Sequence, residues 1–186
     1  MGWSLKKAAT RQYEYAQELT DLGVAWRPMQ RSDRPAIERM VRAHVEGAQK
    51  WSMETGAGAV VAIDANEDII GAAVVMMVDF DGNVAALIQH LVVLPEWRGR
   101  GVGEVTLGVV QQLPGRVLAP GRAVSLFWGH CHPSAARFYQ RAGYTVLQEG
   151  ERFPVPFAPD VEIALSNPSY PCWFYRQGPA MPLQQR

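Results

Sequence analysis

Residues 91–113 constrain the fold more than any other part of the chain. An apolar run ends at Pro95, three glycines follow within residues 99–103, and an amphipathic stretch begins at Val102. Glycine reaches positive φ and lets a ligand approach the backbone closely. The amides at a helix start are unpaired and lie at the positive end of the helix dipole. The segment therefore predicts a strand, a glycine-rich turn and a helix whose N-terminus binds a phosphate.

This turn lacks the residues that two common nucleotide-binding motifs require. An ATP-binding P-loop needs Lys followed by Ser or Thr at the helix start, and neither is present. The dinucleotide fingerprint needs a third glycine where Glu104 stands, and no clear βαβ unit follows. Arg98 and Arg100 add positive charge to the turn. The alternative to a phosphate site is a flexible turn with two solvated arginines.

A second segment further along the chain predicts another strand and a short helix. Residues 123–128 are β-branched and aromatic, as in a strand. Pro133 suits a first helical turn, and Gly143 suits the position after a last one. A helix is therefore predicted between these two residues.

Together, the two segments resemble the sequence hallmarks of the GCN5-related N-acetyltransferase (GNAT) family. The pyrophosphate signature of that family is similar to Arg98-x-x-Gly101-x-Gly103. Its second hallmark, Asn-x-x-Ala-x-x-x-Tyr before Gly-Phe or Gly-Tyr, is similar to residues 132–144, with His132 in place of Asn. The resemblance covers residues 24–144.

The resemblance implies that acetyl-coenzyme A (acetyl-CoA) lies against the central sheet and that no metal takes part. The residues it implies for cofactor binding are Leu91, Val92, Val93, Arg98, Gly99, Arg100, Gly101, Val102, Gly103, His132, Ala135 and Tyr139. In the family, the backbone matching residues 91–93 pairs with the pantetheine arm and polarises the thioester carbonyl.

The implied reaction is acyl transfer from a thioester to an amine. Tyr139 matches the family position whose phenol donates a proton to the departing thiolate, and the alternative for Tyr139 is a core aromatic residue. His90 has two possible interpretations. The favoured one is a hydrogen-bonded core histidine, and the other is the general base. Gln89 stands near where relatives place a carboxylate, and a water chain is another route for the proton.

Length and charge point to one globular domain. The chain has 186 residues, 48% of them hydrophobic, and a formal net charge of +0, which gives no general attraction to nucleic acid or to anionic membranes. No apolar run is long enough to span a bilayer. Cys131 and Cys172 lack metal-ligand spacing, and there is no signal-type segment. We therefore expect two free thiols in a reducing cytoplasm. The sequence is compatible with a homodimer.

Hydrophobic periodicity and the resemblance together predict an α/β (α+β) fold, with a GNAT-like mixed, largely antiparallel sheet flanked by helices and an extra N-terminal helix. Helices are expected at residues 3–21, at 102–113, and after a cap at Ser32 or Asp33, with His44 on the inner stripe of that last helix. The predicted strands are residues 24–29, 59–64, 69–80, 84–94, 123–128, 145–153 and 172–177, with a hairpin turn at 81–83 and an irregular connection at 153–171. The predicted division is a helical extension at 1–23, an acetyltransferase-like domain at 24–178 and a tail at 179–186.

Three functions are compatible with these features. The first is an acetyltransferase that acts on a primary amine of a small molecule, peptide or protein. The second is a catalytically silent acyl-CoA-binding module, which the missing base and His132 favour. The third is acetylation of aminoacyl-tRNA, which a basic rim around the cleft would favour.

Overall fold

The structure is a computed structural model, and it describes residues 5–80, 83–112, 124–154, 162–164 and 167–178. The helices are α1 (Leu5–Asp21), α2 (Arg34–His44), α3 (Val102–Gln112) and α4 (Pro133–Arg141). The strands are β1 (Ala25–Pro28), β2 (Gly58–Ile63), β3 (Ile69–Phe80), β4 (Asn83–Val93), β5 (Val124–Cys131), β6 (Thr145–Leu147), β7 (Arg152–Pro154), β8 (Glu162–Ala164) and β9 (Cys172–Gln177). Short 3₁₀ turns occupy Arg31–Asp33 and Pro95–Trp97.

The main sheet has seven strands in the order β1-β2-β3-β4-β5-β9-β6, and β7 pairs with β8 separately. Within the described ranges, β4 and β5 are parallel, while the other neighbouring strands are antiparallel. The predicted mixed, largely antiparallel sheet with flanking helices and an N-terminal helix is confirmed.

The sheet opens between its two parallel strands. The first part of β4, residues 84–88, pairs with residues 124–129 of β5, and the remainder of β4 continues to Val93 without this partner. Gly129 lies at the last pair, where an added Cβ would be 2.6 Å from the carbonyl oxygen of Ile88. A side chain at this position would therefore push the strands apart before the natural opening.

A β-bulge lies beside this opening. On the other edge of β4, His90 pairs with Val74 and Ile88 pairs with Val75, so Gln89 has no opposing residue on β3. A bulge bends its strand and changes the direction of nearby side chains. The bulge separates the half of β4 that pairs with β5 from the half that borders the opening.

The helices cover both faces of the sheet with apolar side chains. On one face α2 buries Ile37 and Val41 against β2, β3 and β4. On the other face α3 and α4 pack over Phe127 and Phe174 of the central strands. The expectation that His44 belongs to the inner stripe of α2 is wrong, because His44 is exposed at the last residue of that helix.

Helix α1 ends as the sequence predicts, with Gly23 at a φ of 81° after Leu19 has packed into the core. The prediction of a single strand at 145–153 is wrong. A turn with Gly150 at a φ of 82° separates β6 from β7, which belong to different sheets.

Several expectations fall outside the described residues: the hairpin tip at Asp81 and Gly82, the end of the α3 helix at 113–115, most of the connection at 153–171, and the tail at 179–186. The described part of that connection contributes β8, which pairs with β7. None of the helices in the described ranges has the length and apolar character needed to cross a membrane. Cys131 and Cys172 are buried free thiols and register partners on β5 and β9.

Candidate active site

A cavity of about 550 Å³ lies at the opening between β4 and β5. One wall is the end of β4, a second is the glycine turn with the start of α3, and a third is the face of α4. The lining residues include Leu91, Val92, Val93, Arg98, Gly99, Gly101, Val102, Gly103, Ala135 and Tyr139. We call this the first cavity. It brings together most of the residues that the sequence predicts for cofactor binding.

The glycine turn has the backbone conformation that its sequence predicts. Gly99 and Gly101 have φ values of 75° and 89°, in the region that side chains disfavour. Helix α3 begins with a hydrogen bond of 3.0 Å from the Val105 amide to the Gly101 carbonyl. The amides before Val105 have no helical partner, and they belong to residues that line the first cavity. This end of the cavity therefore suits an anion.

The two arginines of the turn lie in different places. The Arg98 Nε donates a 2.9 Å hydrogen bond to the Val93 carbonyl, and Arg98 lines the first cavity. The Arg100 guanidinium lies over the Trp97 ring, 5.4 Å from its centroid, and Arg100 is not part of the cavity lining. Of the two, Arg98 is thus better placed to meet a bound phosphate.

Tyr139 lies on the buried face of α4. Its side chain is 7% exposed, and its ring stacks on Phe174 with a centroid distance of 3.7 Å and an interplanar angle of 9°. Burial, with a smaller contribution from Cys131, raises the pKa of the Tyr139 phenol. Raising the pKa keeps the phenol protonated at neutral pH, and it also makes the phenol a weaker acid. The residue packs in the core and also lines the first cavity, so both of its predicted roles fit this position.

His132 is the N-cap residue of α4. The Ser134 amide donates to its Nδ1 at 3.3 Å, and the Ser134 hydroxyl lies 2.8 Å from the same nitrogen. Asn is a preferred N-cap residue, so His132 performs the capping that Asn performs at such positions. His132 lines a second cavity rather than the first.

This second cavity, about 500 Å³ in volume, continues from the first. The two cavities share His44, Leu91, Ser134, Ala135 and Tyr139. The second cavity adds Val45, Glu46, Gln89, His90, His130, Cys131, His132, Asn167 and Tyr170. A reactant in each cavity would therefore meet beside Tyr139.

The sequence reasoning missed several residues of the second cavity. Asn167 and Tyr170 come from the connection between β8 and β9, where no pattern marked them. The Tyr170 hydroxyl donates to the Glu46 carbonyl, which ties this connection to the end of α2. The Asn167 amide nitrogen lies 3.4 Å from Nδ1 of His130. Only the pairing of distant segments reveals these neighbours.

His90 borders the second cavity with its ring against Trp51. The ring centroids are 4.7 Å apart at an interplanar angle of 82°. Burial lowers the pKa of His90 and also that of His130. A lower pKa favours the neutral imidazole, which can accept a proton. Both histidines therefore have a state suited to a general base.

Gln89 does not supply a carboxylate to this region. Its amide nitrogen donates to Glu54 at 3.2 Å, and its buried oxygen has no hydrogen-bond partner among the described residues. No group of three or more His, Cys, Asp or Glu side chains in the described ranges is arranged to hold a metal ion. The titratable residues that line the second cavity are four histidines, two tyrosines, one glutamate and one cysteine: His44, His90, His130, His132, Tyr139, Tyr170, Glu46 and Cys131.

Burial of His90 leads to a testable pH dependence of stability. We expect the free energy of unfolding to fall as the pH drops below about 6.5, the ordinary pKa of histidine, because the folded chain keeps His90 neutral while the unfolded chain binds a proton. Urea unfolding between pH 7 and pH 5 measures this slope. His90→Gln should reduce this slope by up to about 1.4 kcal/mol per pH unit. Part of the pH dependence should remain in the variant, because burial also lowers the pKa of His130.

The matched control for this prediction is His44→Gln, since His44 is exposed. Its slope should equal that of the parent chain. An unchanged slope in His90→Gln would show that burial of this ring does not control its protonation.

Comparison with known proteins agrees with this architecture. Residues 56–146 match the family model described as the acetyltransferase (GNAT) domain. No curated protein sequence matches the chain. The fold is similar to that of NAA60 from Arabidopsis thaliana, solved with a bisubstrate analogue, with a TM-score of 0.55, 18% identity, and coverage of 82% of this chain and 95% of that one.

Two further solved structures have the same fold. The GNAT family N-acetyltransferase YhbS from Escherichia coli, solved with CoA, has a TM-score of 0.53 at 18% identity, covering 67% of this chain and 69% of that one. A GCN5-related glucosamine N-acetyltransferase region of a fungal multi-domain GH3 beta-N-acetylglucosaminidase has a TM-score of 0.52 at 14% identity. That match covers 67% of this chain and 17% of the fungal protein. The domain model matched by residues 56–146 and the fold shared with solved acetyltransferases both agree with the resemblance seen in the sequence.

Proposed function

We propose that the chain is an N-acetyltransferase that moves the acetyl group of acetyl-CoA to a primary amine of a small molecule, peptide or protein. The observation that carries this proposal is the meeting of the two cavities at Tyr139, which lines both. One cavity has a turn with unpaired amides at one end, and the other contains His90 and His130, whose pKa burial lowers. This arrangement suits one anionic thioester and one amine.

The first cavity fits acetyl-CoA because its chemistry changes along its length. The glycine turn offers unpaired amides to a diphosphate, and the apolar end of β4 offers a strand edge that β5 leaves open. A thioester arm along residues 91–93 would bring its carbonyl towards Tyr139. Acetyl-CoA supplies the activated acetyl group, and the protein supplies the position and the proton donor.

The second cavity fits the acceptor because an amine needs a proton acceptor before it can attack. An alkyl ammonium group has a pKa of about 10.4, so most of it is protonated at neutral pH. His90 lines this cavity and its lowered pKa favours the neutral ring. We assign the base role to His90, directly or through water, and the acid role to Tyr139.

A catalytically silent acyl-CoA-binding module is the second candidate. It is favoured by Gln89, which holds an amide where a carboxylate would be a stronger base and whose nitrogen is bonded to Glu54 at 3.2 Å. In such a module the first cavity would bind the thioester, and the second would bind a partner group without reaction.

A thiol-release screen with acetyl-CoA tests the proposal. We expect one class among polyamines, amino sugars, amino acid amides, peptides and aminoacyl-tRNA to release CoA well above the rate of hydrolysis. Isothermal titration measures binding of acetyl-CoA in parallel. Binding without release across all classes would favour the silent module, and absence of binding would overturn both functions.

A further inference from the structure

A buried carboxylate lies inside the anion-binding end of the first cavity. Glu104 belongs to the first turn of α3, is 5% exposed and lines the cavity together with the glycine turn. A diphosphate held by the amides of this turn would be close to its negative charge. Like charges at a buried site disfavour each other strongly. A positive charge paired with Glu104 would therefore strengthen anion binding at this end of the cavity.

Helix α1 provides that charge. The Arg11 Nε donates to the Glu104 Oε2 at 2.7 Å, and a second Arg11 nitrogen lies 2.7 Å from the same oxygen. Arg11 also donates to the Arg141 carbonyl at 2.6 Å. The Arg141 side chain contributes a longer ion pair with Glu104, at 3.8 Å. Glu104 is thus paired from α1 at short range and from α4 at longer range.

The same face of α1 contacts the turn itself. A Cβ added to Gly101 would lie 2.6 and 2.7 Å from the two Cδ atoms of Tyr15, so the Tyr15 ring rests directly on this glycine. Tyr15 also lines the first cavity. The Gln12 side chain donates to the Glu104 carbonyl at 3.1 Å. Arg11, Gln12 and Tyr15 recur at helical spacing, so one face of α1 contacts the turn and α3.

We propose that α1 is a working part of the coenzyme A site, in which Arg11 neutralises Glu104 so that the glycine turn accepts the diphosphate, and Tyr15 closes the end of the cavity. This inference rests on the proposed function, because it assumes that the first cavity binds a CoA thioester. Arg11 is a positioning residue that acts through Glu104. Helix α1, which lies outside the residues that match the GNAT signature, thereby takes part in binding.

The test measures the affinity of three variants for two ligands. The variants are Arg11→Met, Glu104→Gln and the double variant that carries both. The ligands are acetyl-CoA and S-acetylpantetheine, which has the same thioester arm but no diphosphate. Arg11→Met leaves Glu104 without its short-range partner, so we expect the Kd for acetyl-CoA to rise about tenfold, with S-acetylpantetheine affected less than twofold.

The double variant separates an electrostatic role from a structural one. Removing the Glu104 charge should restore acetyl-CoA binding to within about threefold of the parent chain, because no carboxylate is left to repel the diphosphate. A purely structural role predicts a weaker double variant and equal losses for both ligands. Either of these two results would overturn the inference.

The control variant is Arg31→Met, which removes an exposed arginine outside both cavities. It should leave both affinities unchanged, and thermal unfolding confirms that each variant is folded. Failure of the parent chain to bind acetyl-CoA would refute the proposed function itself. Normal binding by the parent chain and by Arg11→Met would refute only the role of α1.

Discussion

Tyr139→Phe is expected to lower the rate of acetyl transfer by about a hundredfold or more while the Kd for acetyl-CoA changes less than about twofold. The substitution keeps the ring, so the stack on Phe174 at 3.7 Å is preserved. Only the hydroxyl is removed, from a residue that lines both cavities. The loss should therefore fall on the chemical step rather than on binding.

The physical reason is the state of the phenol. Burial raises the pKa of Tyr139, so the hydroxyl holds its proton across the neutral range. Burial also makes the phenol a weaker acid, so its role is to place a protonated hydroxyl beside the sulfur on which charge develops; general acids contribute about 10²–10⁴ to rate. Phenylalanine cannot donate a proton, whereas it can fill the same volume in the core.

Initial rates of thiol release and isothermal titration measure the two quantities separately. Tyr144→Phe is the matched control, because it also removes a buried hydroxyl, one that accepts a 3.1 Å hydrogen bond from Gln111. Tyr144 lies outside both cavities, so its variant should keep the parent rate. Equal losses of rate and affinity in Tyr139→Phe, or no loss of either, would leave Tyr139 as a core aromatic residue.

Local signals in the sequence were sufficient for the elements that build the first cavity. Pro133 and Gly143 mark the ends of α4 because one suits a first turn and the other has a φ of 87° after the last. The glycines of the turn predict positive φ at Gly99 and Gly101, as found. Each of these signals depends on a residue and its immediate neighbours.

The parts of the site that the sequence did not predict depend on contacts between distant segments. Arg11 and Glu104 are separated by 93 positions, and nothing in either local pattern indicates the pair. Tyr170 joins the site through the Glu46 carbonyl, across 124 positions. The bulge at Gln89 follows from strand register, which periodicity does not specify. The second cavity was therefore less predictable than the first.

The His44 error has a similar cause. Its spacing from Ile37 and Val41 continues the apolar stripe, so periodicity places it inward. The structure ends α2 at His44, where the helix stops beside the two cavities and the side chain is exposed. A stripe predicts burial only as long as the sheet continues beneath the helix.

Gly101→Ala is expected to destabilise the chain by about 2–5 kcal/mol, well beyond the effect of Gly99→Ala. Both glycines have positive φ, at 89° and 75°, so either substitution should cost about 1–2 kcal/mol of backbone strain. Only Gly101 has a neighbour in the space of the new Cβ, the Tyr15 ring, whereas a Cβ on Gly99 meets nothing within 4 Å. Urea unfolding of the two variants measures the difference.

The additional loss of stability in Gly101→Ala, relative to Gly99→Ala, should arise at the contact with α1, because the new methyl group must displace the Tyr15 ring from the turn. Combining it with Tyr15→Ala makes room for that methyl group. If steric overlap is the cause, the double variant should be less destabilised than the two single effects added together. Additive effects, or equal losses in Gly99→Ala and Gly101→Ala, would contradict a close contact between Tyr15 and the turn. Since the same contact closes the anion-binding end of the cavity, Gly101→Ala should also weaken acetyl-CoA binding more than Gly99→Ala does.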